Sequence, residues 1–156
     1  MNIDKIVKGH DIFRSLNVDE TAKLSGFSAD KKFKAGDVVF KYNGASSHVY
    51  MLMSGSVTLR LPAAGSDISF AISNLEKGEL FGLSPLLGSK RYTSTAQCNS
   101  DVEVLAIEAK PLHDLLKENA PVGFDIMNQV ARIYFARYID VLMHFQGIVS
   151  QIPLIH

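Results

Sequence analysis

The residues most often used as metal ligands and general bases are scattered along this chain. They are His10, His48, His113, His144 and His156. No two of them form an HxH or HExxH pair, whereas a metal-dependent barrel enzyme usually carries paired histidines on one strand. The sequence also lacks the GxSxG, GxxxxGK and GxGxxG patterns of serine hydrolases, nucleoside triphosphatases and dinucleotide-binding proteins. We therefore predict neither a metal site nor an enzyme activity.

One segment, residues 77–93, has the composition of a phosphate-binding loop. Gly82 would let the backbone approach a ligand closely, and Ser84-Pro85 would start a one-turn helix with Ser84 as its cap and Pro85 at its first position. A helix N-terminus offers unpaired amide groups to an anion, and a Lys-Arg pair near the end of the segment adds positive charge. A capped turn without a ligand explains the same composition equally well.

Two different sequence patterns predict the secondary structure before and around this segment. Residues 3–29 carry apolar side chains at three-to-four spacing, which predicts short helices with Asn17 or Asp19 as a cap. Residues 32–108 consist of short apolar runs separated by turn residues about every 8 to 12 positions, the spacing of an antiparallel sandwich or barrel. The predicted strands are Val38–Phe40, Val49–Met53, Val57–Leu61, Ile68–Ile72, Leu80–Gly82, Tyr92–Gln97 and Val102–Ile107. We predict a mainly β jelly roll, a double-stranded β-helix of the cupin-like kind, with flanking helices.

The C-terminal part, residues 111–147, is predicted to be helical, with Pro111 at the first position of one helix and Pro121 opening a longer one. An apolar stripe runs along the longer helix: Ile126, Met127, Val130, Ile133, Tyr134, Val141 and Leu142. Such a stripe would cover the mouth of the barrel, pack against a second copy, or do both. The apolar tail 152–155 is expected to pack back or to lie in a dimer interface.

Composition and charge limit the class of protein and its possible partners. The chain has 156 residues, 47% hydrophobic and 21% charged, so we predict one globular domain. Sixteen basic and sixteen acidic side chains cancel, and nothing global attracts nucleic acid or an anionic membrane. We predict no membrane segment and no signal peptide, because apolar runs such as Val49–Met53 are far too short to span a bilayer. The single cysteine, Cys98, excludes an intrachain disulfide. These features favour a cytoplasmic location.

The order of several short motifs is similar to a known domain. The motifs are Gly36-Asp37-Val-Val-Phe40, Gly44, Val49-Tyr-Met-Leu-Met53, Gly55-Ser-Val57 and Phe81-Gly82. Between about residues 10 and 145 the chain resembles the cyclic-nucleotide-binding domain, the sensor half of bacterial catabolite-activator and Fnr-type regulators. The resemblance implies a helical N-terminal piece, an eight-stranded jelly roll and a phosphate-binding cassette between two strands. It also implies a long C-terminal helix that closes the pocket and forms a homodimer.

The cassette departs from the pattern of nucleotide-binding members, which read FGE(L/I)AL followed by Arg-(Ser/Thr)-Ala. In those members the glutamate binds the ribose hydroxyl and the arginine pairs with the cyclic phosphate. Here Leu83 stands at the glutamate position. Counting back from the strand that ends at Ile107 places the arginine position on Tyr92. A register shifted by one places it on Arg91, but Tyr92 then stands where a small hydroxyl residue is expected, and the slip turns the side chain to the other face. We favour the Tyr92 register. Missing both groups argues against tight binding of cyclic AMP or cyclic GMP in the usual mode.

The resemblance therefore implies a non-enzymatic small-molecule sensor. The candidate ligand-binding residues are Phe81, Gly82, Leu83, Ser84, Arg91, Tyr92, Thr93, Tyr134 and Arg137. The ligand would be a cyclic nucleotide or another small anion. Fnr-type branches use the same barrel to sense haem-bound gases, redox state or metabolites. Haem is disfavoured here, because the possible axial ligands His10, His48 and His113 are each explained as ordinary structural or surface residues.

Two other interpretations stay open. The domain is either a protein-interaction or dimerisation module without a ligand, or the sensor half of a truncated transcription regulator. Full-length regulators continue from the long helix into a winged helix-turn-helix, and this chain ends eleven residues after Phe145. We therefore expect no nucleic-acid binding by this chain.

Overall fold

A computed structural model describes residues 2–151 of the protein. The predicted apolar tail 152–155 lies outside these residues. Eight strands form the centre of the molecule: β1 (Ser28–Phe33), β2 (Val38–Phe40), β3 (His48–Ser54), β4 (Val57–Pro62), β5 (Ser69–Leu75), β6 (Leu80–Phe81), β7 (Thr95–Cys98) and β8 (Val102–Glu108). They build two four-stranded antiparallel sheets with the orders β1-β8-β3-β6 and β2-β7-β4-β5. The predicted mainly β architecture with flanking helices is confirmed.

Strand β1 was not predicted as a strand, and its first two residues fall in the region predicted to be helical. Its sequence, Ser-Ala-Asp-Lys-Lys-Phe, has no alternation of apolar and polar residues that would predict a strand. Four of its six residues are exposed in the structure. It is an edge strand that pairs along its whole length with β8, from Ser28 opposite Ile107 to Phe33 opposite Val102. Backbone pairing with a buried neighbour, rather than an apolar face of its own, specifies this strand.

The N-terminal helices are α1 (Ile3–Gly9), a single 3-10 turn (Asp11–Phe13) and α2 (Val18–Gly26). Asn17 caps α2 as predicted. Its side chain accepts from the Glu20 amide at 2.9 Å, and the Glu20 carboxylate accepts from the Asn17 amide at 2.9 Å, which completes a capping box.

Two C-terminal helices follow β8 directly, α3 (Ala109–Glu118) and α4 (Ala120–Val149). Pro111 is the third residue of α3 and not the first as predicted. The helix begins earlier because the Ala109 amide donates to the carbonyl of Ser47 at 2.9 Å and turns the chain out of the sheet. Proline is tolerated there, since amides of the first turn have no partner within the helix. Pro121 lies in the first turn of α4, as predicted, after the cap residue Asn119.

Two apolar cores result. One lies inside the roll and contains a group of four stacked aromatic rings, Phe40, Tyr50, Phe81 and Tyr92. The other lies between the roll and the helices, where Ile126 and Val130 of α4 are buried. Val141 and Leu142 of the predicted stripe are exposed instead, because α4 extends beyond this core. Within residues 2–151, no helix combines the length and the apolar character that crossing a membrane requires.

Candidate functional site

The cassette segment leaves the sheet immediately after β6. Leu80 and Phe81 pair with Met51 and Tyr50 of β3, and Gly82 then turns the chain with a φ of 65°. A Cβ at Gly82 would lie 3.0 Å from the Phe40 ring and 3.1 Å from the Tyr50 ring. The close approach that requires glycine is therefore made to the aromatic core of the protein itself.

A single 3-10 turn, Ser84–Leu87, follows, and Gly88 ends it in the left-handed conformation. The prediction that Ser84 caps this turn is wrong. Leu83 occupies the cap position, no side chain caps the turn, and Pro85 is the second residue of the turn and not the first. Ser84 is already part of the turn because the Leu86 amide donates to the Leu83 carbonyl at 3.0 Å.

Arg91 and Tyr92 point to opposite sides of the cassette. Arg91 is exposed, and its Nη1 donates to the Asn43 carbonyl at 2.6 Å on the outer surface. Tyr92 is buried, and its ring stacks on Phe40 with the ring centres 4.0 Å apart. The predicted strand Tyr92–Gln97 begins only at Thr95, because Tyr92 instead pairs its backbone with the turn at residues 43 and 44.

The Tyr92 hydroxyl joins the cassette to the start of β3. It donates to the His48 carbonyl at 2.8 Å and accepts from the His48 amide at 3.1 Å. A stacked ring whose hydroxyl makes two hydrogen bonds has little conformational freedom, so Tyr92 is a fixed wall of the site. Burial and the neighbouring Tyr92 hydroxyl raise the pKa of Tyr50.

Helix α4 supplies the opposite wall through Tyr134 and Arg137. Arg137 is half-buried, and its Nη2 donates to the Leu80 carbonyl of β6. Burial lowers the pKa of Arg137, and the nearby Glu79 carboxylate opposes this shift. Burial also raises the pKa of Tyr134, which the charge of Arg137 partly offsets.

A cavity of about 230 Å³ lies between the cassette and α4. Seven of the nine predicted ligand-binding residues line it: Gly82, Leu83, Ser84, Tyr92, Thr93, Tyr134 and Arg137. Two do not, because Phe81 is fully buried in the aromatic core and Arg91 faces outward. Six lining residues were not predicted from the sequence: Phe40, Leu59, Ile72, Ser94, Tyr138 and Val141. Tyr138 and Val141 follow Tyr134 at four and seven residues, so helical spacing would have indicated them.

The histidines considered as haem ligands do not line this cavity. His10 Nε2 lies 2.6 Å from the Gly78 carbonyl, and His48 Nδ1 lies 2.8 Å from the Ser47 hydroxyl. Burial is the main cause of the lowered pKa of His48. Among residues 2–151, no group of three or more His, Cys, Asp or Glu side chains could hold a metal ion.

Solved structures share this architecture. A putative cyclic nucleotide-binding protein from Geobacter metallireducens is 26% identical, with a TM-score of 0.75 over 88% of this chain and 98% of its own. The sensor domain of the transcriptional regulator DNR from Pseudomonas aeruginosa is 17% identical, with a TM-score of 0.73 over 83% of this chain and 91% of its own. The catabolite activator protein of Thermus thermophilus is 22% identical, with a TM-score of 0.69 over 87% of this chain and 62% of its own.

The family comparison agrees with the residues that first suggested the resemblance. The family model described as the cyclic nucleotide-binding domain matches residues 30–119, which is more than half of the chain and includes the whole cassette. The chain belongs to the cyclic nucleotide-binding domain family.

Proposed function

We propose that this protein is a non-enzymatic, cytoplasmic small-molecule sensor that binds its ligand in the cavity between the cassette and α4. The observation that carries the proposal is the convergence of Leu83, Tyr92 and Arg137, from two separate parts of the chain, on one cavity. Ligand sites are typically concave and mostly apolar with a few placed polar groups, and this cavity has that character. Its boundary with a long helix gives the ligand a means of changing how that helix packs.

We further propose that cyclic nucleotides are not held in the usual mode. Leu83 provides no acceptor for a ribose hydroxyl, and the fixed Tyr92 ring provides no charge for a phosphate. Arg91, the alternative phosphate ligand, is turned to the outer surface. A phosphate buried against the cassette, as in the usual mode, without a cation from the cassette costs several kcal/mol, which is enough to lower a micromolar affinity by orders of magnitude.

Thermal denaturation with cyclic AMP and cyclic GMP tests this. A micromolar ligand at about 1 mM would stabilise the fold by about 4 kcal/mol and raise the melting temperature by several degrees. We expect no shift for the wild type, and we expect the double variant L83E/Y92R to gain one. A shift in the wild type that Arg91→Ala abolishes would contradict the proposal.

The cavity itself is tested with phenol as a neutral probe, followed by amide chemical shifts in NMR. We expect saturable shifts at Thr93 and Ser94, which line the cavity. Thr93→Trp would fill the space and remove them, whereas Gln97→Trp, at a partly exposed residue outside the lining, would leave them. Shifts that persist in Thr93→Trp would place the probe elsewhere and refute the site.

We also propose that α4 forms a homodimer. Exposed residues alternate at spacings of four and three along one face of the helix, which we call the α4 seam: Phe124, Asn128, Ala131, Phe135, Tyr138, Leu142, Phe145 and Val149. This is the spacing of a coiled coil, and the polar Asn128 occupies a position where an asparagine specifies register. The seam lies opposite the buried residues Ile126 and Val130, so α4 can contact the roll and a second copy at once.

Tyr138 belongs to both the cavity lining and the α4 seam. A ligand that moves this side chain would therefore change the contact between the two copies, which is the bistable element that a sensor needs.

Two alanines of α4 give a matched test of the dimer by analytical ultracentrifugation. Ala131 lies in the seam and Ala136 lies outside it, and both are exposed. We expect Ala131→Glu to weaken association about a hundredfold or more, because a charge would be buried in the interface, and Ala136→Glu to have little effect. Equal effects of the two variants would contradict the seam.

A further inference from the structure

The wall of the cavity contains a positive charge without a matching acid. The Arg137 guanidinium has five N–H donors, and the hydrogen bond found for it among residues 2–151 goes to the Leu80 carbonyl. The ion pairs within that part of the chain are Lys23–Glu118, Lys32–Glu103, Lys34–Asp101 and Lys110–Asp114. Arg137 is not among them.

The nearest candidate for a counter-ion, Glu79, is engaged elsewhere. Its carboxylate accepts from the Glu76 amide at 2.6 Å, and it acts on Arg137 only from beyond ion-pair distance. Arg137 lines this cavity and also a neighbouring one that contains Glu79, and a half-buried cation compensated by one carbonyl keeps donors available to a ligand beside it. Such a cation favours an anion beside it, because the anion restores the electrostatic compensation lost on burial.

The rest of the lining has no charge at all. Aromatic faces come from Phe40, Tyr92, Tyr134 and Tyr138, and hydroxyl groups come from the serine and threonine side chains of the cassette. Flat aromatic walls complement a flat aromatic ring, which they contact by offset stacking or by their edges. The absence of acidic side chains from this lining removes any repulsion of an anion.

The volume limits the size of the ligand. A cavity of about 150 Å³ holds benzene in an engineered protein, and sites for drug-sized molecules typically measure about 300 to 1,000 Å³. The cavity here, about 230 Å³, lies between these values. It accommodates one aromatic ring with small substituents and is small for a sugar, a phosphate and a purine together.

We propose that the ligand of this cavity is a small aromatic carboxylate, with its ring against Tyr92 and Tyr134 and its carboxylate paired with Arg137. This inference rests on the proposed function, because it assumes that the cavity is the ligand site. It assigns anion recognition to α4 and not to the cassette.

The test compares 4-hydroxybenzoate with 4-hydroxybenzamide, which have nearly the same shape and differ in charge. Dissociation constants come from NMR titrations that follow the amides of Thr93 and Ser94. We expect the carboxylate to bind the wild type at least about tenfold more tightly than the amide, which is the effect of a charge-assisted hydrogen bond. Arg137→Gln should abolish this preference, since glutamine can still donate to the Leu80 carbonyl but carries no charge. Arg91→Gln, which removes the outward-facing arginine, should retain it.

The outcomes separate the two proposals. Equal binding of both compounds by the wild type would overturn the aromatic carboxylate and leave the cavity as a ligand site. Loss of the preference in Arg91→Gln and not in Arg137→Gln would overturn the role of Arg137. Failure of both compounds and of phenol to shift any cavity amide would overturn the proposed function as well. Arg137→Lys provides a second variant that keeps the charge, and it should retain most of the preference.

Discussion

The two halves of α4 are built on opposite principles. In the first half, residues 120–133, one face is buried on the roll and on α3, with Ile126 1% exposed. In the second half, from Tyr138 to Val149, every residue is exposed, although most are apolar; Phe145 is 63% exposed. One continuous helix therefore has an anchored part and an unpartnered part.

This difference indicates that the two halves of α4 have different roles. The first half needs close packing, because its apolar face contributes to the core beneath it. Packing within one protomer does not fully explain the second half, since its apolar side chains remain exposed to water to a large extent. Arg137 and Tyr134 lie where the two halves meet, beside the cavity. Under the proposed function, a ligand there would contact the second half through Tyr138.

The sharpest contrast is between the two glycines of α4. A Cβ at Gly123 would lie 2.2 Å from the Leu116 carbonyl oxygen, whereas a Cβ at Gly147 would have no neighbour within 4 Å. We expect Gly123→Ala to destabilise the fold by about 4 kcal/mol, because α3 and α4 must separate. Gly147→Ala should stabilise it by about 0.5 to 1 kcal/mol through helix propensity. Urea denaturation measures both, and similar effects would show that the two halves are packed alike.

A second pair compares large apolar side chains. Ile126→Ala should cost about 3 kcal/mol, because it removes buried methyl groups and leaves a cavity. Met143→Ala, at a residue that is 65% exposed, should change the free energy of unfolding by less than about 0.5 kcal/mol. The same denaturation measurement, made at a protein concentration that keeps the chain monomeric, distinguishes them. A large effect of Met143→Ala on the monomer would mean that the second half also packs within one protomer.

Dimerisation, unlike the stability of one protomer, should depend on the apolar side chains of the second half of α4. Phe145 lies in the α4 seam and Met143 lies outside it, and both are similarly exposed in one protomer. We expect Phe145→Ala to raise the dissociation constant of the proposed dimer about tenfold or more, because it would remove an aromatic anchor from the α4 seam. Met143→Ala should change it much less. Sedimentation velocity over a range of concentrations measures both, and a monomeric wild type would refute the dimer directly.

The fold could be predicted from sequence wherever one face of an element is apolar. Strands β2 to β8 follow the rhythm of apolar runs and turn residues, and the cap of α2 follows from Asn17 and Glu20. Strand β1 could not be found in this way, because exposed lysines give it no apolar face. Its pairing with β8 depends on residues about seventy to eighty positions away in the chain, from Phe33 opposite Val102 to Ser28 opposite Ile107.

The site was predictable where a motif fixes the local path and not where tertiary packing decides. The resemblance predicted that Gly82, Thr93 and Arg137 belong to one site, and they line the same cavity. Phe40 was missed as a lining residue because its motif indicated only a strand end. The position of Ser84 was misjudged because serine before proline is typical of a cap, whereas here the turn begins one residue earlier.

The smallest expected effect concerns Tyr134, at the boundary between the halves. Burial raises its pKa above the ordinary value of 10.0, so the folded state holds this proton more tightly than the unfolded state does. The resulting stabilisation is complete below about pH 10 and is lost as the pH rises through the folded-state pKa. Tyr134→Phe should therefore lose less stability than the wild type between about pH 8 and pH 11 in urea denaturation. If Tyr134→Phe keeps the pH dependence of the wild type, burial at the cavity wall does not hold this proton.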